Sequence, residues 1–306
     1  MTNVAFQANI GRLGIYSGTV DQWTNTNLGP MGGTNPSVAA LSNGTYLTAF
    51  QANIGKLGIY GGAVDEWTNT NLGPMAGTSP SIAALPNGNY AVAFQANIGV
   101  LGIYSGAVDE WTNTKLGMKA GTSPSAVALF NNTYVVAFQA PGGQLGIYNG
   151  VVDEWTNTNL GMMPGTSPSI AVLPQGKYVV AFQAPGGQLG IYSGVVDEWT
   201  NTMLGMMPGT SPSVAALSTG AYVVAFQANT GQLGINSNGT VDEWTNTMLG
   251  MQSGTSPSVA ALPNGAYEVA FQANTGHLGI NSNGTVDEWT DTLLGMMAGT
   301  SPSIAQ

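Results

Sequence analysis

A chain of 306 residues with 44 Gly, 16 Pro and only 20 charged residues (15 acidic, 5 basic) holds few helix-favouring Glu, Lys and Arg and many turn formers, which points to an all-β protein. The formal charge of −10 argues against a general attraction to nucleic acid or anionic lipid, so the expected partner is neutral or small. The absence of cysteine excludes disulfides and thiolate metal sites and leaves the compartment open.

The string "AFQ" returns at Phe6, Phe50, Phe94, Phe138, Phe182, Phe226 and Phe271, a spacing of 44 residues five times and then 45. All seven tryptophans keep the same clock, at Trp23, Trp67, Trp111, Trp155, Trp199, Trp244 and Trp289. Gln144–Gly187 and Gln188–Gly231 differ at nine of 44 positions, the mark of recent duplication or consensus construction. Residues 1–306 are therefore expected to form one domain of seven repeats.

In one unit the predicted elements run in order. Strand 1 is "PSIAAL" (Pro80–Leu85), strand 2 "YAVAFQAN" (Tyr90–Asn97), strand 3 "VLGIYS" (Val100–Ser105) and strand 4 "AVDEWTNT" (Ala107–Thr114). The turns "PNGN", "NIG" and "SG" supply Gly or Asn where positive φ is needed, and a longer "KLGMKAGTSP" leads onward. Four antiparallel strands in about 44 residues is the size of a propeller blade. Small Ser81, Ala83 and Ala84 suit a crowded axis, and the alternation of Tyr90, Val92 and Phe94 with Ala91, Ala93 and Gln95 lets neighbouring blades interlock.

A stack of sheets would need polar caps at both ends, and none is visible. The chain instead starts on strand 2 and stops after strand 1, "GTSPSIAQ". Ser301–Ala305 is thus predicted to lie beside Asn3–Gln7 and complete one blade from both ends, closing a seven-bladed ring.

Antiparallel order places the 2–3 turn and the 4–1 connection on one face of the disc. There each unit is expected to present a Gln (Gln7, Gln51, Gln95, Gln139, Gln183, Gln227, Gln272), a Trp partway along the outer strand, and the Asn two residues later (Asn25, Asn69, Asn113, Asn157, Asn201, Asn246; Asp291 in the last unit). An indole can lie on the apolar face of a pyranose while amides take its hydroxyls, so this set suits a sugar. The bland alternatives are a Trp that packs blades together and a Gln that bonds to the next blade.

The Asp-Glu pair before each Trp, such as Asp65 and Glu66, does not read as a metal or acid-base pair, because neighbouring strand residues face opposite ways. Glu is read as a charge guarding the edge strand, and Asp as a turn or solvent residue. Met pairs such as Met162–Met163 are read as gap fillers. The Asn-Gly-Thr sequons at Asn43, Asn238 and Asn283, with Asn-Asn-Thr at Asn131, are read as turns. Arg12, His277 and Glu268 occur once each, in variable positions; sevenfold repetition preserves no singular active site, so no enzyme, cofactor or metal is expected. Nothing at the N-terminus resembles a signal peptide, and no run approaches the roughly 18 apolar residues of a membrane span.

The combination "GTSPSIAALPNG.Y.VAFQAN.G.L" followed by "LGMM.GTSPS" resembles the repeats of the seven-bladed bacterial β-propeller lectins typified by Photorhabdus luminescens lectin, across all seven units. The resemblance implies a propeller that binds fucose-type or O-methylated sugars in pockets between blades, often as a homo-oligomer, secreted or acting at a cell surface. Repeats of that family commonly read "G.LW", whereas this chain has Gly after the Leu, at Gly14, Gly58, Gly102, Gly146, Gly190, Gly234 and Gly279. The resulting expectation is a multivalent, non-enzymatic lectin for glycans. The alternatives are a non-binding structural or engineered repeat ring, and a targeting module of a larger secreted enzyme.

Overall fold

Seven four-stranded antiparallel sheets make up the computed structural model, which describes residues 2–306 except 107, 108, 175 and 195. We number the blades in chain order. Blade 1 joins Ser303–Ala305 to Asn3–Gln7, Leu13–Tyr16 and Thr24–Asn25; the innermost strands of blades 2 to 7 begin at Ser37, Ser81, Ser125, Ser169, Ser213 and Ser258. The molecule is a seven-bladed β-propeller. Its split blade pairs Asn3 with Ala305, Val4 with Ile304 and Ala5 with Ser303, as the two chain ends predict.

The "SPS" run builds the inner rim. Its second Ser accepts the backbone N–H of the following blade: Ser37 from Ile82, Ser81 from Ala126, and so on round to Ser258 from Ile304 and Ser303 from Val38. Its first Ser works in the opposite sense, the N–H of Ser79 donating to Ser123 Oγ, that of Ser123 to Ser167 Oγ, and that of Ser256 to Ser301 Oγ. Asn35 substitutes for Ser at one position and closes this second circuit, its Oδ1 accepting from Ser301 at 2.7 Å. Two rings of hydrogen bonds thus run around the axis, and a bulkier side chain in place of Ser would crowd them.

The core lies between blades. Ala5, Leu13, Ile15 and Leu28 of blade 1 pack on Val38, Phe50 and Tyr60 of blade 2, and each later interface repeats the pattern. One face of every sheet is therefore small and branched while the other is aromatic, which is what the alternation along strand 2 predicts. Met118, Met162, Met206, Met251 and Met296 are buried in these seams.

Three strands match their predicted places: Ser81–Ala84, Tyr90–Gln95 and Val100–Tyr104. The fourth does not. It runs Thr112–Gly117, after Trp111, and the predicted start at Ala107 and Val108 falls outside the described residues. The reason is the Asp two residues before Trp, which has φ of 57–68° in all seven units and so breaks any strand there. Strand 4 is shorter in blades 1 and 2 (Thr24–Asn25, Thr68–Asn69) because Pro30 and Pro74 have no N–H, whereas Met118, in the same place, donates to Gly99 O at 2.9 Å.

Candidate functional site: the tryptophan recesses of the outer rim

Each Trp stands where the 3–4 connection enters strand 4, with its ring laid against the Phe of "AFQ" at centroid separations of 5.5–5.7 Å. Beneath both rings is the Gly of "LGI". A Cβ on Gly58 would lie 2.6 Å from Phe50 Cζ and 2.6 Å from Trp67 Cε3, so only Gly admits this packing. The Gly that departs from the lectin-like "G.LW" pattern therefore makes room for an aromatic ring arriving from the end of the 3–4 connection. The Trp is half-buried in six units and slightly more open at Trp199, which is 37% exposed.

The preceding Asp is a staple. In left-handed conformation its N–H reaches the carbonyl of the Thr after the "WTN" Asn in the previous blade: Asp65 to Thr26, Asp109 to Thr70, Asp287 to Thr247, at 2.9–3.1 Å. Short polar side chains tolerate that conformation. The Asp is thus a turn residue, as read, but the Glu lies in the loop and not on an edge strand.

Beside the Trp a recess recurs. In blade 1 it measures about 240 Å³ and is lined by Ile15, Ser17, Thr19, Gln22, Trp23 and Thr24. In blade 2 it measures about 300 Å³, with Ile59, Gly61, Ala63, Glu66, Trp67 and Thr68. In blade 7 it measures about 310 Å³; Ile280, Trp289 and Thr290 recur there with Ser282, Asn283, Thr285 and Glu288. An Ile, the indole and hydroxyl, amide or carboxylate groups that differ from blade to blade converge in one concavity with room for a small polar ligand.

The structure brings only part of the expected set together. Asn25 is paired opposite Gly14, the residue under the Trp23 ring, whereas the recess residues Ile15 and Thr24 pair on the other face. Asn25, Asn69 and Asp291 therefore line none of the three recesses, a correction to the expected set. The Asn side chain is engaged locally: Asn25, Asn69, Asn113, Asn157, Asn201 and Asn246 each accept through Oδ1 the N–H two residues on, at 2.9–3.0 Å, and Asn246 also donates through Nδ2 to Gln232. Asp291 does the same for Leu293, which explains why Asp serves there. The bond holds a residue at φ of 59–64°, among them Lys115, Met203 and Leu293, inside a β-bulge.

The glutamines stand apart. Gln7 alternates with Phe6 and so points to the sheet face opposite Trp23; Gln7, Gln51, Gln95, Gln139, Gln183, Gln227 and Gln272 are all at most 1% exposed. Their Nε2 atoms donate to main-chain carbonyls on the way into the next blade, for example Gln51 to Pro74 at 3.2 Å and Gln227 to Gln252 at 3.0 Å. These amides are struts between blades and do not line the recess, a correction to the expected hydrogen-bonding set. Their burial follows from parity along strand 2: the residue after Phe must enter the opposite seam. The recess residues that the sequence reading missed are the hydroxyls of the 3–4 loop, Ser17 and Thr19, and the residue before Trp. Their signal was a polar loop of nearly constant length before a fixed aromatic residue.

A second aromatic layer lies deeper. Tyr46 and Tyr60 pack at 6.4 Å, as do Tyr134 with Tyr148 and Tyr178 with Tyr192. Burial first, and the neighbouring phenol second, push Tyr60, Tyr134 and Tyr192 up to about 12. No group of three His, Cys, Asp or Glu able to hold a metal occurs among the described residues.

No protein-family model matches the chain, and no curated protein matches it. Solved structures share its fold. Aleuria aurantia lectin, in a structure of a point mutant with Fucα1-6GlcNAc, aligns at a TM-score of 0.59 and 15% identity over 87% of this chain and 96% of that one. It is described as a six-bladed propeller. AofleA from Arthrobotrys oligospora aligns at 0.60 and 13% identity, over 88% and 89%. BBS1N, in complex with ARL6DN, aligns at 0.61 and 9% identity, over 94% and 88%. At such identities the likeness extends to the propeller fold, which lectins and other proteins share.

Proposed function

We propose that this protein is a carbohydrate-binding lectin that takes neutral sugars of the fucose or O-methylated type in its outer-rim recesses. The observation that carries the reading is recurrence: blades 1, 2 and 7 each place a Trp, an Ile floor and a following Thr around a concavity of similar size. The Trp ring offers a flat apolar face to the C–H side of a pyranose, and the loop hydroxyls and the Gln or Glu take its OH groups. The fold likeness to a lectin solved with a fucosyl disaccharide is in keeping with this. Each site is shallow and weak by itself; several engaging one glycan-bearing surface raise avidity by about 10²–10⁴ where geometry allows. Because each site is repeated, we read the protein as a binder and not an enzyme.

A second reading is a scaffold that binds no sugar, and the observation that favours it is the packing of every Trp on a Phe. A panel of neutral methyl glycosides, titrated while the seven indole N–H resonances are followed by NMR, separates the two. The lectin reading expects several indoles to shift saturably with one sugar, and Trp67→Ala to remove its own site and leave the others. Silence of all the indoles across the panel sinks it.

A further inference from the structure

Two residues that occur at their repeat position only once meet at the same seam. Six units carry a Tyr four residues before the Phe of "AFQ" (Tyr46, Tyr90, Tyr134, Tyr178, Tyr222 and Tyr267), and blade 1 has Thr2 there. The next position is Leu47, Ala91, Val135, Val179 or Val223 in blades 2 to 6, and it is Glu268 in blade 7. At other interfaces the Tyr fills the space beside its strand-3 partner, with Tyr134 on Tyr148 and Tyr178 on Tyr192 at 6.4 Å. The adjoining apolar residue closes the seam, Val135 being 2% and Val179 1% exposed.

Between blades 7 and 1 both fillers are absent, and a cleft of about 370 Å³ opens. Thr2, Val4 and Tyr16 form one wall and Glu268 stands on the other. Burial foremost, and then the Glu268 carboxylate, raise the Tyr16 phenol above its ordinary value. The cleft shares Ile280, Ser282 and Thr290 with the Trp289 recess, so the two concavities adjoin.

We propose that this seam cleft is a second sugar subsite, joined to the Trp289 recess, so that blade 7 takes a disaccharide. The inference rests on the reading of the recess as a sugar site. The first ring lies at Trp289. The second sets its apolar face on the exposed Val20 and gives a hydroxyl or N-acetyl N–H to the Glu268 carboxylate, a charge-assisted bond of the stronger kind. Thr2 and Ser282 supply further hydroxyls. Chain charge favours a neutral second ring over an acidic one, since a uronic or sialic carboxylate would face Glu268 directly.

The test uses the full chain and two probes, methyl α-L-fucoside and Fucα1-6GlcNAc, read at the indole N–H resonances. At Trp289 the disaccharide should half-saturate at a concentration at least about tenfold below that of the monosaccharide, while at Trp67 the two should agree within about twofold. Thr2→Tyr and Glu268→Val each recreate a residue that other seams already accommodate. Each should abolish the advantage at Trp289 and leave its monosaccharide response in place. Movement of Trp289 with no disaccharide advantage, or an advantage that survives both substitutions, overturns the inference and leaves the recess reading standing. Silence of every indole with both probes overturns the recess reading and this inference with it.

Discussion

At the inner rim every unit presents the same "SPS" run and the same pair of hydrogen bonds to its neighbours, with one substitution, Asn35, that preserves the acceptor. At the outer rim the same seven units carry Ser, Gly, Asn or Thr in the 3–4 loop and differ by one residue in length. Both rims come from one repeat, yet the outer one varies far more. A residue at the axis must fit two protein neighbours at once, and a change in one blade would break the bond in the next. A residue in the 3–4 loop faces water on one side, so a change there is local. Ring closure and ligand choice are thereby separated within each blade, and the recesses can diversify without loosening the ring.

The largest test of that separation is removal of Ser301–Gln306. It takes away the innermost strand of blade 1, buried Ile304 and a member of both hydrogen-bond circuits. We expect a loss of roughly 5 kcal/mol or more, given about 1 kcal/mol per hydrogen bond and up to about 3 kcal/mol for the buried Ile. Urea unfolding measures it; a loss under about 1 kcal/mol would show that the inner circuits do not hold the ring.

Alkaline pH attacks the tyrosine layer between the rims. The folded state holds Tyr60, Tyr134 and Tyr192 at about 12, above the ordinary phenol value of 10.0, so it retains protons that the unfolded chain gives up. Their contribution is fully present below pH 10 and is lost as pH rises from 10 through 12. Urea midpoints should be flat up to about pH 10 and fall above it, with the ultraviolet phenolate signal appearing late; a phenolate titration centred near pH 10 would contradict this.

Gly58→Ala overpacks the Phe50–Trp67 pair, and a cost of about 1–3 kcal/mol is expected, with altered Trp67 fluorescence. Ser81→Ala leaves the Ala126 N–H without its acceptor at the inner rim, for about 1 kcal/mol. Thr19→Ala, in the loop of the blade 1 recess, should change stability by less than about 0.5 kcal/mol while altering any sugar response at Trp23. If Thr19→Ala cost more stability than Ser81→Ala, the contrast between the rims would fail.

Much of this fold was legible in the chain. The 44-residue period, the turn dipeptides and the complementary ends lead to seven four-stranded blades and a split one, because strand order and loop length are properties of local sequence. The site was less legible. The reading placed Trp on strand 4, whereas Asp in left-handed conformation delays the strand and turns Trp111 and its equivalents into loop-end residues. It also grouped Gln with Trp, which lie close in sequence pattern but on opposite sheet faces.

By itself the sequence determined the number of units, their strand order and the residues each unit has to offer. Only the tertiary structure decided which of them meet. The Gln amides went into the seams because strand parity points them at the next blade, and the indole lies on Phe because the glycine beneath both rings leaves room for it. The seam cleft is the extreme case: Thr2 and Glu268 stand at opposite ends of the chain, and nothing in either residue reveals the other until the ring closes.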